Sequence, residues 1–301
     1  TEVPFMPSEN IQWFPGHMAK TRRLISENLK NVDIIIEILD ARIPYSSRNP
    51  EIRRLVADKP ELILLNKSSL SDPAQNRLWV RKYSGRDTAC LLTDCVTGDG
   101  ISKIAPTVKE ILSDKVTRYE DKGMSGRRLR AMVLGIPNVG KSSLINRLGG
   151  AKKTKVENRP GVTLDKQWVT TSVGIDLLDM PGILWPKFQD KKVGENLAVT
   201  GAIKDNILDT EALAATLCGR LRTFYPDLLA ARYKLAGIPT RDEANDFELL
   251  EMIGRKRGFL VSGGEINTER TALMLLDEFR SVKIGRITLD YITPEAAENN
   301  A

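Results

Sequence analysis

The stretch GIPNVGKSS (residues 135–143) joins an apolar, β-branched segment at 129–135 to a segment with helical periodicity. It matches the pattern G-x-x-x-x-G-K-[ST], and its place between a strand and a helix separates a phosphate-binding loop from a chance match. Glycines at 135 and 140 allow the backbone N–H groups to turn toward phosphates at the positive end of the helix. The stretch therefore predicts a nucleotide-binding α/β fold with a helix beginning near Lys141.

Residue types within this loop suit a nucleoside triphosphate bound together with magnesium. We expect Lys141 to neutralise the β- and γ-phosphates and Ser142 to supply its hydroxyl to Mg²⁺. The rest of the phosphate cradle is expected from the neighbouring loop residues Asn138, Val139, Gly140 and Ser143.

A second short motif, DMPG at 179–182, follows an apolar strand pattern and fits D-x-x-G. Such turns are common, but its placement downstream of a phosphate loop makes this one informative. We expect Asp179 to hold magnesium through water and the Gly182 N–H to contact the γ-phosphate. Between the two motifs, Thr163 lies in a segment rich in proline and glycine, suited to closing over the same magnesium.

Upstream of the phosphate loop, short apolar runs alternate with segments of helical periodicity. Strands are predicted at 32–42, 61–66 and 89–94, and helices at 17–30, 50–59, 73–84 and 101–119. This alternation is typical of a parallel sheet with helices on both faces. Downstream, two further strands are predicted at 166–172 and 174–180, turning at Val173-Gly174.

The segment LILLNKSSLSD (62–72) ends a predicted strand in Asn-Lys. In GTPases an N-K-x-D sequence at such a position reads guanine, because the lysine stem packs on the ring and the aspartate accepts two N–H bonds. Asn66, Lys67 and Ser68 fill the first three positions, but the fourth is Ser69. After the next predicted strand, Asp94 and Cys95 begin a loop suited to offering a backbone N–H to the guanine oxygen.

The order of these segments is unusual, since the base-reading sequence precedes the phosphate loop. In a parallel α/β sheet the ligand binds beyond the carboxyl ends of the strands, whatever the order of the strands in the chain. Circular permutation therefore preserves such a site. We expect Asn66-Lys67 and Gly140-Lys141-Ser142 to converge at one edge of a single sheet.

Composition narrows the class of protein. The chain of 301 residues is 41% apolar, which suffices for a substantial core. No apolar run approaches the roughly 20 residues that span a bilayer, and the N-terminal sequence lacks the features of a secretory signal. We expect a soluble, cytoplasmic, monomeric protein with no membrane partner.

The net charge is +6, and its excess lies before position 203. Basic clusters include residues 20–23, 127–130, 152–155 and 255–257. Such charge suits a polyanion such as RNA, and an ordinary solvated surface is the equal alternative.

The permuted order, together with WFPGHMAK (13–20), LDARIP (39–44), RPGVT (159–163) and DMPGILWPKF (179–188), resembles the ribosome biogenesis GTPase A (RbgA/YlqF) family. The resemblance covers nearly the whole chain. It implies a circularly permuted P-loop GTPase domain over 1–195 and a small all-α, ANTAR-like RNA-binding domain over 196–301. It also implies GTP and GDP as ligands, Mg²⁺ as cofactor, and a precursor of the large ribosomal subunit with its rRNA as partner.

Three residues bear on hydrolysis, beside Lys141 and Gly182. Where Ras-like enzymes carry a glutamine, this chain has Ile183, which predicts slow turnover that the ribosomal subunit stimulates. Asn138 matches the position that binds K⁺ in potassium-dependent relatives, so K⁺ is a candidate cofactor. His17 is a candidate for orienting the attacking water on the ribosome, with helix capping or RNA contact as the alternative.

The last third of the chain is predicted to be helical. Its apolar spacing predicts a core containing Leu213, Leu217, Leu221, Leu273, Leu276 and Phe279. RNA contacts are expected from Arg255, Lys256, Arg257, Lys283 and Arg286. Two other functions stay open: an NTPase of relaxed base choice, which Ser69 favours, and an RNA-binding module with a non-catalytic nucleotide.

Overall fold

The structure, a computed structural model, describes residues 15–149, 167–182, 184–185, 188, 190–203 and 209–298, with side chains from Ala19 onward. These residues form two compact units. The first holds the described residues between 15 and 186 together with 292–298, and the second holds those between 188 and 291. The predicted α/β domain followed by an all-α domain is confirmed.

The described part of the first unit contains a six-stranded sheet. Its strands are β1 (Ile34–Asp40), β2 (Glu61–Asn66), β3 (Thr88–Leu92), β4 (Leu129–Leu134), β5 (Gln167–Thr170) and β6 (Ile175–Asp179). Their order in the sheet is β3-β2-β1-β4-β6-β5. All neighbours are parallel except β5, which forms an antiparallel hairpin with β6 at the edge. The predicted parallel-rich sheet is confirmed.

The continuous apolar sequence of the central strands reflects burial on both faces. Every residue of β1 is buried, as expected for a parallel strand between two helical layers. Ile35, Met132 and Leu178 share one face, where they pack with Ile25 and Ile52. Those last two residues belong to α1 (Pro15–Leu29) and α2 (Pro50–Val56).

The same face continues under α3 (Pro73–Tyr83), whose Trp79 packs with Ile63 and Leu65. The opposite face is contacted by α4 (Ile101–Ile111) and α6 (Lys141–Gly149), which bury Ile104, Val108, Leu144, Ile145 and Leu148. The sheet is therefore covered on both sides, as predicted.

Helix boundaries follow local chemistry. Asn49 and Asp72 cap α2 and α3, with proline at the first helical position of each. The single helix predicted over 101–119 is wrong, because the chain leaves the helical conformation at Leu112 and α5 (Ser113–Asp121) begins there.

The second unit contains α7 (Lys191–Val199), α8 (Thr210–Phe224), α9 (Pro226–Tyr233), α10 (Asp246–Arg257) and α11 (Thr268–Arg280). Leu213, Leu217 and Leu221 of α8 are buried as predicted, and α8 contacts both α10 and α11. The prediction for Leu273 is wrong, since its side chain is 51% exposed. Leu276 and Phe279 are buried as predicted, and with Ala272 and Leu275 they form the i, i+3, i+4, i+7 set that α11 buries.

The unit boundary differs from the predicted division between 195 and 196. Helix α7 belongs to the second unit, and the chain returns to the first unit from Ile292 onward. There the short helix α12 (Pro294–Glu298) packs on α3. None of the helices built from described residues is long and apolar enough to span a membrane.

Candidate nucleotide-binding site

Polar residues gather where the parallel strands end. Strand β1 ends at Asp40, β2 at Asn66 and β6 at Asp179, while β4 leads directly into the phosphate loop. Because these strands are parallel, their carboxyl ends lie along one edge of the sheet, where ligands bind in open α/β folds. The sequence-predicted residues can therefore meet at this edge.

Asn66 connects the loops at this edge. Its Nδ2 donates a hydrogen bond of 2.7 Å to the Val139 carbonyl of the phosphate loop. Its Oδ1 accepts one of 3.0 Å from the Cys95 N–H in the loop after β3. The asparagine is only 2% exposed, so both bonds are sheltered from water. The Asn-Lys segment and the phosphate loop thus lie against each other, as the predicted convergence requires.

The phosphate loop has the backbone conformation that its glycines predict. Gly140 has φ +107°, and a Cβ there would overlap the Asn66 side chain. Asn138 also lies in the left-handed region, with φ +63°. A larger residue at 140 would therefore break both the loop conformation and its contact with Asn66.

Lys67 is fixed by a buried carboxylate. Its Nζ donates 2.9 Å to Asp40 Oδ2, and the Arg42 guanidinium grips the same carboxylate at 2.7 and 3.0 Å. Burial alone would raise the pKa of Asp40, but Arg42 and Lys67 hold that pKa well below its usual range. Asp40 is therefore ionised and sets the direction of the lysine stem.

The loop after β3 is tied to both neighbours of the site. The Ser68 N–H donates 3.1 Å to the Thr93 carbonyl, and the Ser69 hydroxyl donates to Asp94 Oδ2. Arg147 of α6 donates through Nε to the Cys95 carbonyl at 2.8 Å and through Nη2 to the Val96 carbonyl. Asp72 takes no part in this cluster because its side chain caps α3.

Lys141 lies folded over the phosphate loop. Its Nζ donates to the carbonyls of Gly135 at 2.9 Å and Ile136 at 3.0 Å. Burial lowers the pKa of Lys141 to about 8, against the opposing field of Asp179. Burial likewise raises the pKa of Asp179, which Lys141 counteracts. A Cβ at Gly182 would overlap Lys141 Nζ, so the D-x-x-G turn and the loop lysine lie in close contact.

Ser142 and Ser143 are exposed in the first turn of α6. Ser142 offers a hydroxyl oxygen, and the electrostatic coupling of Asp179 to Lys141 places a carboxylate beside the same loop. These are oxygen donors, which Mg²⁺ prefers, and magnesium ordinarily takes few protein ligands beside phosphate oxygens. This donor set fits Mg²⁺. Within the described ranges, no three His, Cys, Asp or Glu side chains form a separate metal cluster.

Several predicted residues fall outside what the structure describes. Thr163 and Ile183 lie outside the described residues. The backbone of His17 lies in the first turn of α1, but its side chain is not among those that the structure describes.

The predicted RNA-contacting residues of the second unit have unlike surroundings. Arg255 and Lys256 are exposed at the carboxyl end of α10. Arg257 instead pairs with Glu278 at 3.2 Å and stacks over the Tyr233 ring at 5.0 Å. Lys283 pairs with Asp277 at 3.8 Å. The first two side chains are therefore the better placed to meet a polyanion.

Sequence reasoning assigned no role to three charged residues of this site. Asp40 and Arg42 lie in the quoted LDARIP segment, but no spacing rule shows that they fix Lys67. Arg147 lies in a helix where a basic residue ordinarily faces solvent. Only the fold shows that these side chains hold Lys67 and the loop after β3.

Comparisons with known proteins agree with the geometry. A family model described as 50S ribosome-binding GTPase matches residues 130–215. Ribosome biogenesis GTPase A of Bacillus pumilus is 47% identical over 280 residues, covering 93% of this chain and 98% of that protein. The Priestia megaterium protein of the same name is 46% identical, covering 96% and 98%.

More distant relatives extend the comparison. Mitochondrial ribosome-associated GTPase 1 of Mus musculus is 32% identical, covering 95% of this chain and 92% of that protein. The crystal structure of GNP-bound YlqF from T. maritima aligns with a TM-score of 0.60 at 24% identity, covering 92% of this chain and 99% of that one. At that identity the solved structure supports the fold alone.

Proposed function

This chain belongs to the ribosome biogenesis GTPase A family, and we propose that it binds and hydrolyses GTP while acting on a precursor of the large ribosomal subunit. The observation that carries the proposal is the pair of hydrogen bonds that Asn66 makes, donating to the Val139 carbonyl and accepting from the Cys95 N–H. This contact supports the proposal because it brings the Asn66-Lys67 loop, which we propose reads the base, to the same edge of the sheet as the phosphate loop. One nucleotide can then contact both.

Each part of the site has a role in binding. The α6 end of the phosphate loop directs backbone N–H groups at the phosphates, and the Lys141 ammonium offsets their charge. The Lys67 stem, fixed by Asp40, packs on the base. Magnesium, when bound, neutralises developing charge on the phosphates, and Ser142, Asp179 and Thr163 are the residues proposed to hold it.

Hydrolysis needs a group that orients water, and the apolar Ile183 has none to offer. We assign slow turnover to the chain alone and completion of the site to the ribosomal particle, through His17, or to K⁺ bound near Asn138. His17→Ala should remove only the ribosome-stimulated part of the rate. Comparison of rates in K⁺ and Na⁺ tests the second route, and equal rates would exclude it.

Nucleotide state is proposed to control docking. The γ-phosphate would order the Thr163 and Asp179–Gly182 segments, as in other GTPase switches, and so favour the bound state. The second unit, proposed to be ANTAR-like, would add rRNA contacts through Arg255 and Lys256 at the end of α10. The protein is proposed to act as a monomer.

A pulldown of large-subunit particles tests this function. The tagged protein, loaded with a non-hydrolysable GTP analogue or with GDP, is mixed with purified particles and the bound rRNA is measured. We expect more particle with the analogue, and faster GTP hydrolysis when particles are present. Equal capture in both states together with unstimulated hydrolysis would contradict the proposal and favour a non-catalytic nucleotide.

A further inference from the structure

The position that would carry the guanine-reading carboxylate is occupied by Ser69, two residues after Lys67. A carboxylate nevertheless lies at this point of the site, because Ser69 Oγ donates to Asp94 Oδ2 from the facing loop. The two residues are 25 apart in sequence and belong to the loops after β2 and β3. The fold therefore brings a serine and an aspartate together where one aspartate was expected.

Asp94 is held in one orientation. Its Oδ1 accepts from the Val96 N–H at 2.8 Å and the Thr97 N–H at 3.1 Å, which leaves Oδ2 for Ser69. Burial raises the pKa of Asp94, but the hydrogen bonds from Ser69, Thr97 and Val96 outweigh burial and hold that pKa below its usual value. The residue is only 2% exposed, so its carboxylate lies beneath the loop surface while Ser69 is partly exposed above it.

This arrangement fixes the proton of the serine hydroxyl. An ionised carboxylate can only accept, so the Ser69 proton must lie on the bond to Asp94. The lone pairs that Ser69 Oγ turns toward the site can then only accept. Hydrogen bonding to a charged group also strengthens the acceptor character of the hydroxyl oxygen.

An acceptor at this point distinguishes the purine bases. Guanine presents its N1–H and 2-amino group as donors on the edge that the missing aspartate would read. Xanthine has an oxygen in place of the amino group, and adenine has an unprotonated N1. Opposite the 2-position, the xanthine oxygen would set an acceptor against the serine oxygen and adenine would offer no donor, and in both cases buried polar groups stay unpaired, which is costly.

We propose that Ser69 and Asp94 together replace the missing aspartate, with Ser69 Oγ accepting from guanine and Asp94 fixing that hydroxyl as an acceptor. This inference rests on the proposed function, since it concerns the base of the same nucleotide. It makes the chain specific for guanine and argues against relaxed base choice.

Displacement of a fluorescent GDP analogue by GDP, XDP and ADP tests the pair in the full-length protein. Ser69→Ala should weaken GDP binding by about tenfold, the expected effect of one lost hydrogen bond to a buried donor, and should strengthen XDP binding, because the acceptor that faces the xanthine oxygen is gone. Asp94→Asn should reverse the preference. Its Oδ1 stays on the two backbone N–H groups, so Nδ2 meets Ser69 and turns the serine proton outward, toward the oxygen of xanthine.

Reciprocal exchange supplies a second variant. Ser69→Asp alone places two carboxylates side by side and should weaken GDP binding. Ser69→Asp with Asp94→Ser restores one carboxylate and one hydroxyl with their loops exchanged, and should return GDP preference toward that of the intact chain. Asp99→Asn is the matched control, because it removes an exposed carboxylate of the same loop that bonds Thr97 and not Ser69.

The possible outcomes distinguish failure of the Ser69–Asp94 proposal from failure of the proposed GTPase function. An intact chain that neither binds GDP nor hydrolyses GTP would overturn the proposed function. An intact chain that prefers GDP, with Ser69→Ala and Asp94→Asn showing the same ranking of nucleotides, would overturn only the inference. Equal weakening of all three nucleotides by Asp94→Asn, with circular dichroism unchanged, would reduce Asp94 to a support of the loop and also overturn it.

Discussion

At the scale of single residues, the side chain of Asn66 joins two loops of the site. Its amide satisfies one donor and one acceptor of two different loops, Cys95 N–H and the Val139 carbonyl. A buried polar group that loses its partner costs about 1–3 kcal/mol. The same side chain therefore contributes to the stability of the unit and to the geometry of the site.

Replacing Asn66 separates these contributions. Asn66→Ala leaves both backbone groups unpaired, so we expect the unit to lose roughly 2–4 kcal/mol of unfolding free energy without nucleotide. Asn66→Asp keeps the acceptor but sets a carboxylate oxygen against the Val139 carbonyl. This variant should therefore be no more stable than Asn66→Ala. Urea unfolding followed by tryptophan fluorescence measures both. Asn146→Ala, an exposed change in α6, is the control, and equal stability of the Asn66 and Asn146 variants would contradict the role given to Asn66.

Lys141 predicts how nucleotide binding depends on pH. Its pKa is lowered to about 8 by burial, so above that pH the lysine of the nucleotide-free site is mostly neutral. The phosphates of GDP require the charged ammonium form of Lys141. Above pH 8, binding of GDP must therefore be accompanied by uptake of a proton. We expect GDP affinity to be nearly constant below pH 7.5 and to fall as pH rises through about 8.

Calorimetry in two buffers of different ionisation enthalpy measures this proton. Uptake on GDP binding should rise from about 0.1 proton at pH 7 to about 0.9 at pH 9, given a pKa of about 8. Guanosine is the control, since it shares the base but has no phosphate to require the ammonium. Equal uptake at the two pH values, or equal uptake for guanosine, would exclude Lys141 as the source.

The residues of the phosphate loop could be predicted because a fixed spacing between a strand and a helix carries the information. Asp40, Arg42 and Arg147 could not. Asp40 and Arg147 have partners in other loops, Lys67 and the carbonyls of Cys95 and Val96, and no local pattern encodes which charges meet across a sheet edge. Arg42 pairs with the nearby Asp40, and its role follows only from the contact of Asp40 with Lys67. Ser69 shows the same limit, because its partner Asp94 belongs to the next loop.

At the scale of elements, the strands were predictable from continuous apolar runs, whereas the break between α4 and α5 was not. Apolar periodicity continues across Leu112, so the sequence reads as one helix. The backbone there has φ −100° and ψ 17°, outside the helical region. Periodicity reports which face is buried, and it does not report where one helix ends and the next begins.

Strand β1 carries a buried carboxyl group, Glu37, whose pairing with Arg48 predicts a large effect on stability. Glu37 is 2% exposed, and Arg48 donates to it at 2.8 Å and to Glu61 of β2 at 2.7 Å. Burial, together with Glu61, raises the pKa of Glu37 to about 8 despite the opposing field of Arg48. At pH 7 Glu37 is therefore mostly protonated, and Arg48→Met removes its hydrogen-bond donor and leaves Glu61 without its cation, which should cost about 3–5 kcal/mol.

The pH dependence of that loss identifies its cause. A carboxyl group whose folded pKa lies above its unfolded value disfavours folding at high pH, and this penalty disappears as pH falls toward the unfolded value. Arg48 lowers the pKa of Glu37 in the intact chain, so without Arg48 that carboxyl group resists ionisation further, and the Arg48→Met variant should lose stability relative to the intact chain as pH rises from 7 to 9, through the pKa of about 8. Adding Glu37→Gln and Glu61→Gln should recover most of the loss at pH 7. A deficit of constant size across this range would indicate lost packing against Tyr83 instead.

At the scale of the whole molecule, the sequence predicted an α/β unit followed by a helical one, but not the return of the chain to the first unit. Gln75 of α3 makes two hydrogen bonds with the Ile292 backbone, at 2.9 and 3.0 Å. Lys82 donates to the Ala296 carbonyl at 2.9 Å. These contacts join residues more than 200 apart, and a helix of five residues has too little periodicity to show its partner.

The order of the strands leads to a last prediction, that the first unit does not require a continuous chain between its two halves. Residues 121–127 are exposed and link the strands that lead to the base loops with the strand that leads to the phosphate loop. The halves meet at the pairing of β1 with β4, which is buried in the sheet centre. A protease site inserted after Gly123 and cleaved should therefore leave two fragments that co-elute in gel filtration and bind GDP nearly as the intact chain does.

Backbone pairing between β1 and β4 and apolar burial, rather than the connecting segment, would then hold the two halves of the unit together. The uncleaved insertion variant controls for the insertion itself. Ile36→Lys within the cleavable chain places a charge in the β1–β4 contact and should release the fragments, because an unpaired buried charge is costly. Fragments that separate without that substitution, or that stay together but lose GDP, would show that the site depends on chain connectivity as well as on the sheet.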